Sequence, residues 1–392
     1  MVFAEKPQIS LIVVQNHNII NLFKRMILSV IFCVFITCSI IQVTYLVTFF
    51  SFLSQSKNGR KTKINTPVSV IIFGKDQGEN LLKLLPSILE QEHSVFEIVL
   101  INNSSSDETN DIIQSFSEKH TAIKVVEVEN NEAFWASKKY ALTLGIKASS
   151  YDHLLFTNAS CNPVSKNWIS EMSKNFTSKK EIILGYKKYQ KENSLMNIFV
   201  RFENLISAIK CFGFAKKGFP YMAFEGNLAY KKATFFKVKG FINHMKINAG
   251  LENLFIKDAA NKENTTFCLS ENSFTETSAP KLFSKWFSDK KEAAFIKKKY
   301  KYKHRLLLDV FAFTKIIFYV LAITLFFTYP YKIILSIVLF YFILNYILIG
   351  FSAKKLKEPQ IIFFLPFLEI GLMLFQISIF IANLTSKPTH WK

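Results

Sequence analysis

Thr66–Thr109 is the stretch whose reading decides the fold. Val68-Ser-Val-Ile-Ile-Phe73 is an apolar run of strand length. Glu79 to Gln91 follows, with Leu81, Leu82, Leu84, Leu85, Ile88 and Leu89 at helical spacing. Phe96-Glu-Ile-Val-Leu-Ile101 is a second apolar run, and Asn102-Asn-Ser-Ser-Ser-Asp-Glu-Thr109 is a polar turn. Two buried-type strands joined by an amphipathic helix form a βαβ unit, which implies a parallel sheet. Open parallel sheets bind ligands beyond the carboxyl ends of their strands, where this turn stands.

The alternation continues. A helix is expected from about Asp107 to Lys119, with Ile112, Ile113 and Phe116 inward and Asp107 able to cap it. A strand at Ile123–Val128, a helix from about Phe134 to Lys147 and a strand at His153–Thr157 come next, ending in Asn158-Ala-Ser-Cys-Asn-Pro163. The fold class is α/β. Leu195 to Pro220 places Phe199, Phe202, Leu205, Ile206 and Ile209 at near-helical spacing. Either an interfacial helix or an ordinary packed helix fits that pattern.

Long apolar segments flank this unit. Met26–Ser56 carries no charged residue, and about 20 apolar residues suffice to cross a bilayer. About Val310–Tyr329, Ile333–Ser352 and Ile361–Asn383 give three more spans. Basic clusters set the orientation: Lys57, Arg60, Lys61 and Lys63; then Lys297, Lys298, Lys299, Lys301, Lys303 and Arg305; then Lys354, Lys355 and Lys357. With four spans all three clusters fall on one side, which makes residues 64–305 cytoplasmic and the membrane the inner one. The expected organisation is an N-terminal segment 1–25, a span 26–56, a soluble domain 64–305, three spans within 306–383 and a tail 384–392. Lys315 is close enough to a span end to snorkel. Glu369 is an intramembrane carboxylate, functional by default, unless Pro366 breaks the segment and leaves it at a wet edge.

The formal net charge is +20 over 392 residues, yet arginine occurs only at Arg25, Arg60, Arg201 and Arg305. Nucleic-acid readers use arginine for bidentate contacts, and these lysines gather at membrane flanks, so no nucleic-acid partner is expected. The five cysteines are scattered, without metal or disulfide spacing.

Five segments in order carry a family resemblance: Pro67-Val-Ser-Val-Ile-Ile72, the turn Asn102–Thr109, Lys139-Tyr-Ala-Leu-Thr-Leu-Gly-Ile146, Leu155-Phe-Thr-Asn-Ala-Ser-Cys-Asn-Pro163 and Gly226-Asn-Leu-Ala-Tyr230. Together they resemble family-2 glycosyltransferases of the GT-A fold, in the layout of membrane-anchored bacterial members. The resemblance implies a Rossmann-like mixed sheet with four transmembrane helices. It implies transfer of a sugar from a nucleoside-diphosphate donor to a lipid-linked or surface-glycan acceptor. It also implies Mg²⁺ or Mn²⁺ at an Asp-x-Asp turn, a carboxylate base from a later loop, and a Gln-x-x-Arg-Trp-like element ahead of the C-terminal spans.

On that alignment the donor side falls to Asn103, Ser105, Asp107, Asn158 and Ser160, with Lys290 and Lys291 from the pre-membrane element. The base falls to Glu252. Asp107 is retained, but the chain departs from the pattern at the other motifs. Asn158-Ala-Ser160 replaces Asp-x-Asp, so the metal ligands are missing. Asn103 stands where an acid usually reads the base. Asn248-Ala-Gly-Leu-Glu252 keeps one acid. Trp286-Phe-Ser-Asp-Lys-Lys-Glu292 puts Asp289 and Glu292 where Gln and Arg are usual. Each residue also has a bland role: Asp107 as a helix cap, Glu252 as a surface acid, Lys290 and Lys291 on a basic helix. Two functions stay open. One is a membrane glycosyltransferase. The other is an inactive pseudo-glycosyltransferase serving as an interaction subunit, with another glycosyltransferase or a glycan-export component as partner.

Overall fold

A computed structural model describes residues 6–54, 66–129, 138–247 and 249–385. The basic cluster Lys57–Lys63, Asn248, the start of the helix expected from Phe134 and residues 386–392 of the tail lie outside the described residues.

The chain opens with helix α1 (Lys6–Phe50). The decisive stretch then forms β1 (Val68–Gly74), α2 (Gly78–Leu89) and β2 (Phe96–Asn102). Next come α3 (Thr109–Lys119), β3 (Ile123–Glu127), α4 (Lys138–Ala148) and β4 (His153–Asn158). A more irregular part holds β5 (Asn162–Pro163), α5 (Trp168–Ser173), β6 (Ile182–Leu184), β7 (Lys187–Tyr189) and α6 (Leu195–Lys216). It continues through β8 (Leu228–Lys231), α7 (Lys232–Lys237), α8 (Leu251–Ala259), β9 (Thr265–Phe267) and β10 (Thr275–Thr277). Helices α9 (Phe283–Lys297), α10 (Tyr302–Thr328), α11 (Tyr331–Lys355) and α12 (Leu365–Thr385) complete the order.

Seven strands form one sheet in the order β3-β2-β1-β4-β8-β6-β9. The first four are mutually parallel, β8 runs antiparallel to both β4 and β6, and β9 is parallel to β6. The sheet is thus mixed, with a parallel half built from the βαβ repeats. Val70, Ile72, Ile98 and Leu100 pack against Leu81, Leu84, Leu85 and Ile88 of α2 in one buried cluster. Leu82, placed by periodicity on the same face, is instead half exposed. Pro86 lies inside α2 and cannot donate to the Leu82 carbonyl.

A second, three-stranded sheet runs β5-β10-β7. Its register sets Pro163 and Lys187 on either side of Thr275. This small sheet draws the turn after β4 and the start of β7 together, and one side chain fastens it to the large sheet. Asn227 is fully buried. Its Nδ2 donates to the carbonyls of Tyr186 and Ser273, both at 2.8 Å, and its Oδ1 accepts from Trp168 Nε1 at 3.2 Å. Gly226 before it has φ +87, and a side chain there would meet Cys161; the position demands glycine.

Among the described residues, four helical stretches are long and apolar enough to cross a membrane: Ile20–Ser54, Tyr302–Thr328, Tyr331–Lys355 and Pro359–Thr385. The chain divides into two compact units. One holds residues up to Val47 with Leu306–Leu348, and the other Thr48–Arg305 with the residues from Ile349 onward. In the first, Gln42 Nε2 on α1 donates to Thr314 Oγ1 on α10 at 2.8 Å and Tyr45 donates to the Leu307 carbonyl at 2.7 Å. In the second, Trp286 of α9 stacks on Phe375 of α12 at 4.3 Å, with Phe199 of α6 edge-on to both. Helix α6 is a packed helix: Val200, Phe202, Leu205 and Ile209 are buried, and Gly213 lies against the Phe49 backbone. Pro366 falls where a 3-10 turn at Pro359–Phe364 gives way to α12. Glu369 is nonetheless buried.

Replacing Asn227 with alanine strands the Ser273 carbonyl and the Trp168 indole N–H, while the Tyr186 carbonyl keeps the Thr275 amide at 3.2 Å. At about 1–3 kcal/mol per orphaned group, Asn227→Ala is expected to cost at least ~2 kcal/mol, read as a lowered thermal midpoint of the detergent-solubilised protein. A midpoint within a degree of wild type would contradict this arrangement.

Candidate functional site

A small pocket of about 20 Å³ opens at the carboxyl ends of β1 and β4. Phe73, Lys138, Asn158, Gly226, Tyr230, Leu251 and Glu252 are among its lining residues. It thus sits where the sheet topology predicts a ligand.

Four charged side chains meet around it. Lys138, the first residue of α4, places its Nζ 2.5 Å from Glu225 Oε1. Glu225 precedes Gly226 and keeps 45 % of its side chain exposed. The Lys138 ammonium, helped by Lys187 and a hydrogen bond from Asn158, holds the Glu225 carboxyl well below the usual carboxylate range against the effect of burial. Glu252, in the first turn of α8, behaves in the opposite way. Burial, reinforced by the Glu225 charge, pushes its carboxyl up to about 7. Burial also works against the Lys138 ammonium, but Glu225 and Glu252 keep its pKa above the ordinary lysine value. Lys187 is placed here by its neighbour: Asn227 holds the Tyr186 carbonyl, so the chain segments of Lys187 and Glu225 run side by side. Burial opposes the Lys187 charge, yet Tyr189, Cys161, Glu225 and Glu252 hold its pKa up. Its ammonium also lies 5.6 Å from the Tyr189 ring centre. Lys139 takes no part in the lining: it is buried and donates to the Ile247 carbonyl, and desolvation draws its pKa down to about 8.

The residues singled out in the sequence separate into three places. Glu252 and Asn158 line the pocket. Ser160 is exposed on the turn beyond β4, where Cys161 N donates to the Asn158 carbonyl at 2.9 Å.

Asn103, Ser105 and Asp107 lie instead in a clasp between the turns after β1 and β2. Asn103 is buried and its amide donates to the Gly74 carbonyl at 3.1 Å. Ser105 Oγ donates to Asn102 Oδ1 at 2.7 Å and accepts from Asp76 N at 3.1 Å. Asp107 accepts from Thr109 N at 3.0 Å and from Gly78 N at 3.3 Å. The hydrogen bonds from Thr109 hold its carboxyl below the usual range. Asp107 therefore serves the amino ends of α2 and α3 together, which is the capping role weighed beside a donor role. Asp76, at φ +53, completes the clasp by accepting from Ser106 N at 2.8 Å.

Lys290 and Lys291 are not among the pocket-lining residues. Lys290 Nζ pairs with Glu203 of α6, and the Lys291 carbonyl accepts from Asn383 on α12. The lysine lining the pocket is Lys138, and Lys187 acts on the same carboxylates, Glu225 and Glu252. Burial raises the pKa of Asp289, with Lys285 and Lys290 opposing the rise. The acidic partner missed in the sequence is Glu225. The only signal for it was its place before the Gly226-Asn227 motif.

The resemblance implies a divalent metal at the turn after β4. The donor set does not fit one. Asn158 offers a neutral amide already turned to Glu225, and the nearby lysines are repulsive to a cation. Among the described residues no three of His, Cys, Asp or Glu converge as metal ligands.

Because burial lifts Glu252 in the folded protein above an unfolded value near ~4.3, its protonation favours the folded state at low pH. That advantage is lost as pH rises through about 7. Glu252→Gln is therefore expected to gain thermal midpoint relative to wild type on going from pH 5 to pH 8. A difference that stays constant or narrows would mean that Glu252 is freely solvated.

Residues 69–240 match the family model described as Glycosyl transferase family 2. Over 92 residues the chain is 34 % identical to the poly-beta-1,6-N-acetyl-D-glucosamine synthase of Staphylococcus epidermidis, covering 24 % of this chain and 21 % of that one. Over 100 residues it is 31 % identical to the 4,4'-diaponeurosporenoate glycosyltransferase of Staphylococcus haemolyticus, covering 26 % of each. The chain thus spans about a quarter or less of these curated relatives' length. Among solved structures, a mannosyltransferase of Pyrobaculum calidifontis, determined with GDP-Man and Mn²⁺, aligns with a TM-score of 0.58 at 11 % identity, over 91 % of this chain and 98 % of that one. That likeness concerns the fold. Residues 69–240 belong to glycosyltransferase family 2, and they are built as a GT-A fold on a chain with four helices able to span a membrane.

Proposed function

We propose that the protein transfers a sugar from a nucleoside-diphosphate donor to the hydroxyl of a lipid-linked or surface-glycan acceptor, at the cytoplasmic face of the inner membrane. The observation that carries this reading is the pair Glu252 and Glu225. Glu252 lines the pocket at the strand ends, Glu225 pairs with the pocket-lining Lys138, and their environments push the two carboxylates' pKa values apart. Such a split assigns different roles to chemically equal groups.

Glu252, raised to about 7, is matched to a general base working near neutral pH. In the step proposed, the acceptor hydroxyl oxygen attacks the anomeric carbon. Its proton passes to the Glu252 carboxylate. The bond from the anomeric carbon to the phosphate oxygen breaks, and its electron pair leaves with the diphosphate. Phe73, Phe156 and Tyr230 line the same pocket and offer an apolar wall that keeps water from competing as acceptor. The family match, together with the relatives named above for sugar transfer, supports the reaction class. The four apolar helices support a membrane-held acceptor. Lysine clusters at the span ends, Lys297–Lys303 and Lys354–Lys357 among them, support the cytoplasmic orientation.

One observation favours the alternative of an inactive interaction subunit in glycan synthesis. The Asp76–Ser106 and Asp107–Gly78 bonds commit the polar side chains of the first two strand ends to each other.

The two readings part on a direct assay. The full chain in nanodiscs is given UDP- and GDP-sugars with a membrane-lipid extract as acceptor, and release of free nucleoside diphosphate is followed. Transfer is expected to rise with pH through about 7 as Glu252 loses its proton, and Glu252→Gln is expected to lower it ~10²–10⁴-fold. Absence of transfer from every donor, or full activity of Glu252→Gln, would sink the enzymatic reading.

A further inference from the structure

We propose that Lys138 and Lys187 take the place of the divalent cation in this protein, and that Glu225 holds their site as an internal anion until the donor diphosphate displaces it. This rests on the reading of the pocket as a nucleotide-sugar site.

The geometry is specific. The turn Asn158–Cys161, where a metal-binding turn is expected, is bracketed by the two lysines. Lys138 enters from the first residue of α4, and Lys187 enters from the first residue of β7. The short sheet β5-β10-β7 fixes the second approach, because Thr275 of β10 is in register with both Pro163 and Lys187. Thr275 Oγ1 in turn donates to the Gly226 carbonyl at 3.2 Å, and Asn227 holds the Tyr186 carbonyl. The buried side chains of Thr275 and Asn227 therefore hold the Lys187 backbone beside the Glu225–Gly226 segment.

The electrostatics point the same way. Lys138 and Lys187 both act on the Glu225 carboxylate, and two ammonium groups there disfavour a further cation. The Glu225 carboxylate lies 2.5 Å from Lys138. Glu225 is also the more exposed member of that pair, with 45 % of its side chain exposed against 33 % for Lys138. An arriving diphosphate can take over Lys138 while Glu225 swings into water at small cost. A leaving diphosphate needs neutralisation, which ammonium groups can supply as point charges.

The test is nucleoside-diphosphate binding by the full-length protein in nanodiscs, measured calorimetrically with UDP and GDP in EDTA and again with Mn²⁺. Binding is expected in EDTA, with little change on adding Mn²⁺. Lys187→Ala and Lys138→Ala are each expected to weaken it about 10- to 100-fold, and Lys187→Arg to restore most of the loss. Glu225→Gln is expected to act with the opposite sign and tighten binding, because it removes the competing anion. Retained thermal midpoints identify the variants that are folded; Lys187→Arg and Glu225→Gln conserve size and serve if the alanine variants fail. Binding that requires Mn²⁺, lysine variants that bind like wild type, or Glu225→Gln that weakens a metal-dependent complex would each overturn the proposal. Metal-independent binding without any sugar transfer would refute the proposed reaction and leave the lysine assignment standing. No binding of either nucleotide under either condition would overturn both.

Discussion

The buried amide of Asn227 is the constraint on which the site depends. One side chain serves three partners: the Tyr186 and Ser273 carbonyls and the Trp168 indole. Each partner belongs to a different segment of the irregular half of the molecule. None of those groups could be left unpaired in a fully buried position without a penalty of about 1–3 kcal/mol. Their joint satisfaction therefore fixes where the start of β7, the approach to β10 and the helix α5 lie relative to the large sheet. Glu225 and Gly226 precede this asparagine, and Lys187 follows one of its partners. The pocket's charges inherit their positions from a hydrogen-bond hub that is itself electrically neutral.

Around that hub the site is a balanced set of opposite charges rather than an acidic metal cradle. Lys138 and Lys187 hold Glu225 ionised, while the same crowding of burial and negative charge leaves Glu252 near neutrality in its proton affinity. A carboxylate dyad tuned apart in this way differs physically from a pair that shares a cation. The turn clasp at Asp76, Ser105, Ser106 and Asp107 is built on a different logic: short polar side chains cap the amino ends of α2 and α3 and fasten two loops to each other.

The unit that carries the sheet also carries its own apolar attachment. Trp286 and Phe375 stack nearly parallel, with Phe199 edge-on. Arg201 on α6 pairs with Glu358 just ahead of the last apolar segment, its Nε 2.9 Å from the carboxylate. Both members of that pair are buried. Such a pair contributes more to fixing one arrangement than to net stability, since desolvation offsets much of its attraction. It and the aromatic cluster tie α6, α9 and α12 into one body with the sheet.

Much of this was legible in the chain itself. Strands β1 to β4 were readable because each is a short apolar run bounded by turn residues, and α2 because its leucines recur at helical spacing. The four long apolar helices were readable because the membrane imposes a length and a polarity that no local context can disguise. Glu252 and Asn158 were readable as pocket residues through the order of motifs. The remainder depended on contacts between residues far apart in sequence. Nothing local distinguishes Glu225 from a surface acid, or Lys187 from the many other lysines of a strongly basic chain. Register in a three-residue strand and the reach of one asparagine bring them together. Lys290 looked eligible for the donor because it precedes the spans, but Glu203 on a different helix claims it. Asp107 looked equally fit to cap or to bind, and only the approach of the Gly78 amide shows how its second oxygen is used. Sequence periodicity thus determined which segments are strands, helices and spans, because each depends on neighbours along the chain. Tertiary structure alone decided which charges meet, because Coulomb energy depends on separation in space, and only the folded chain sets that separation.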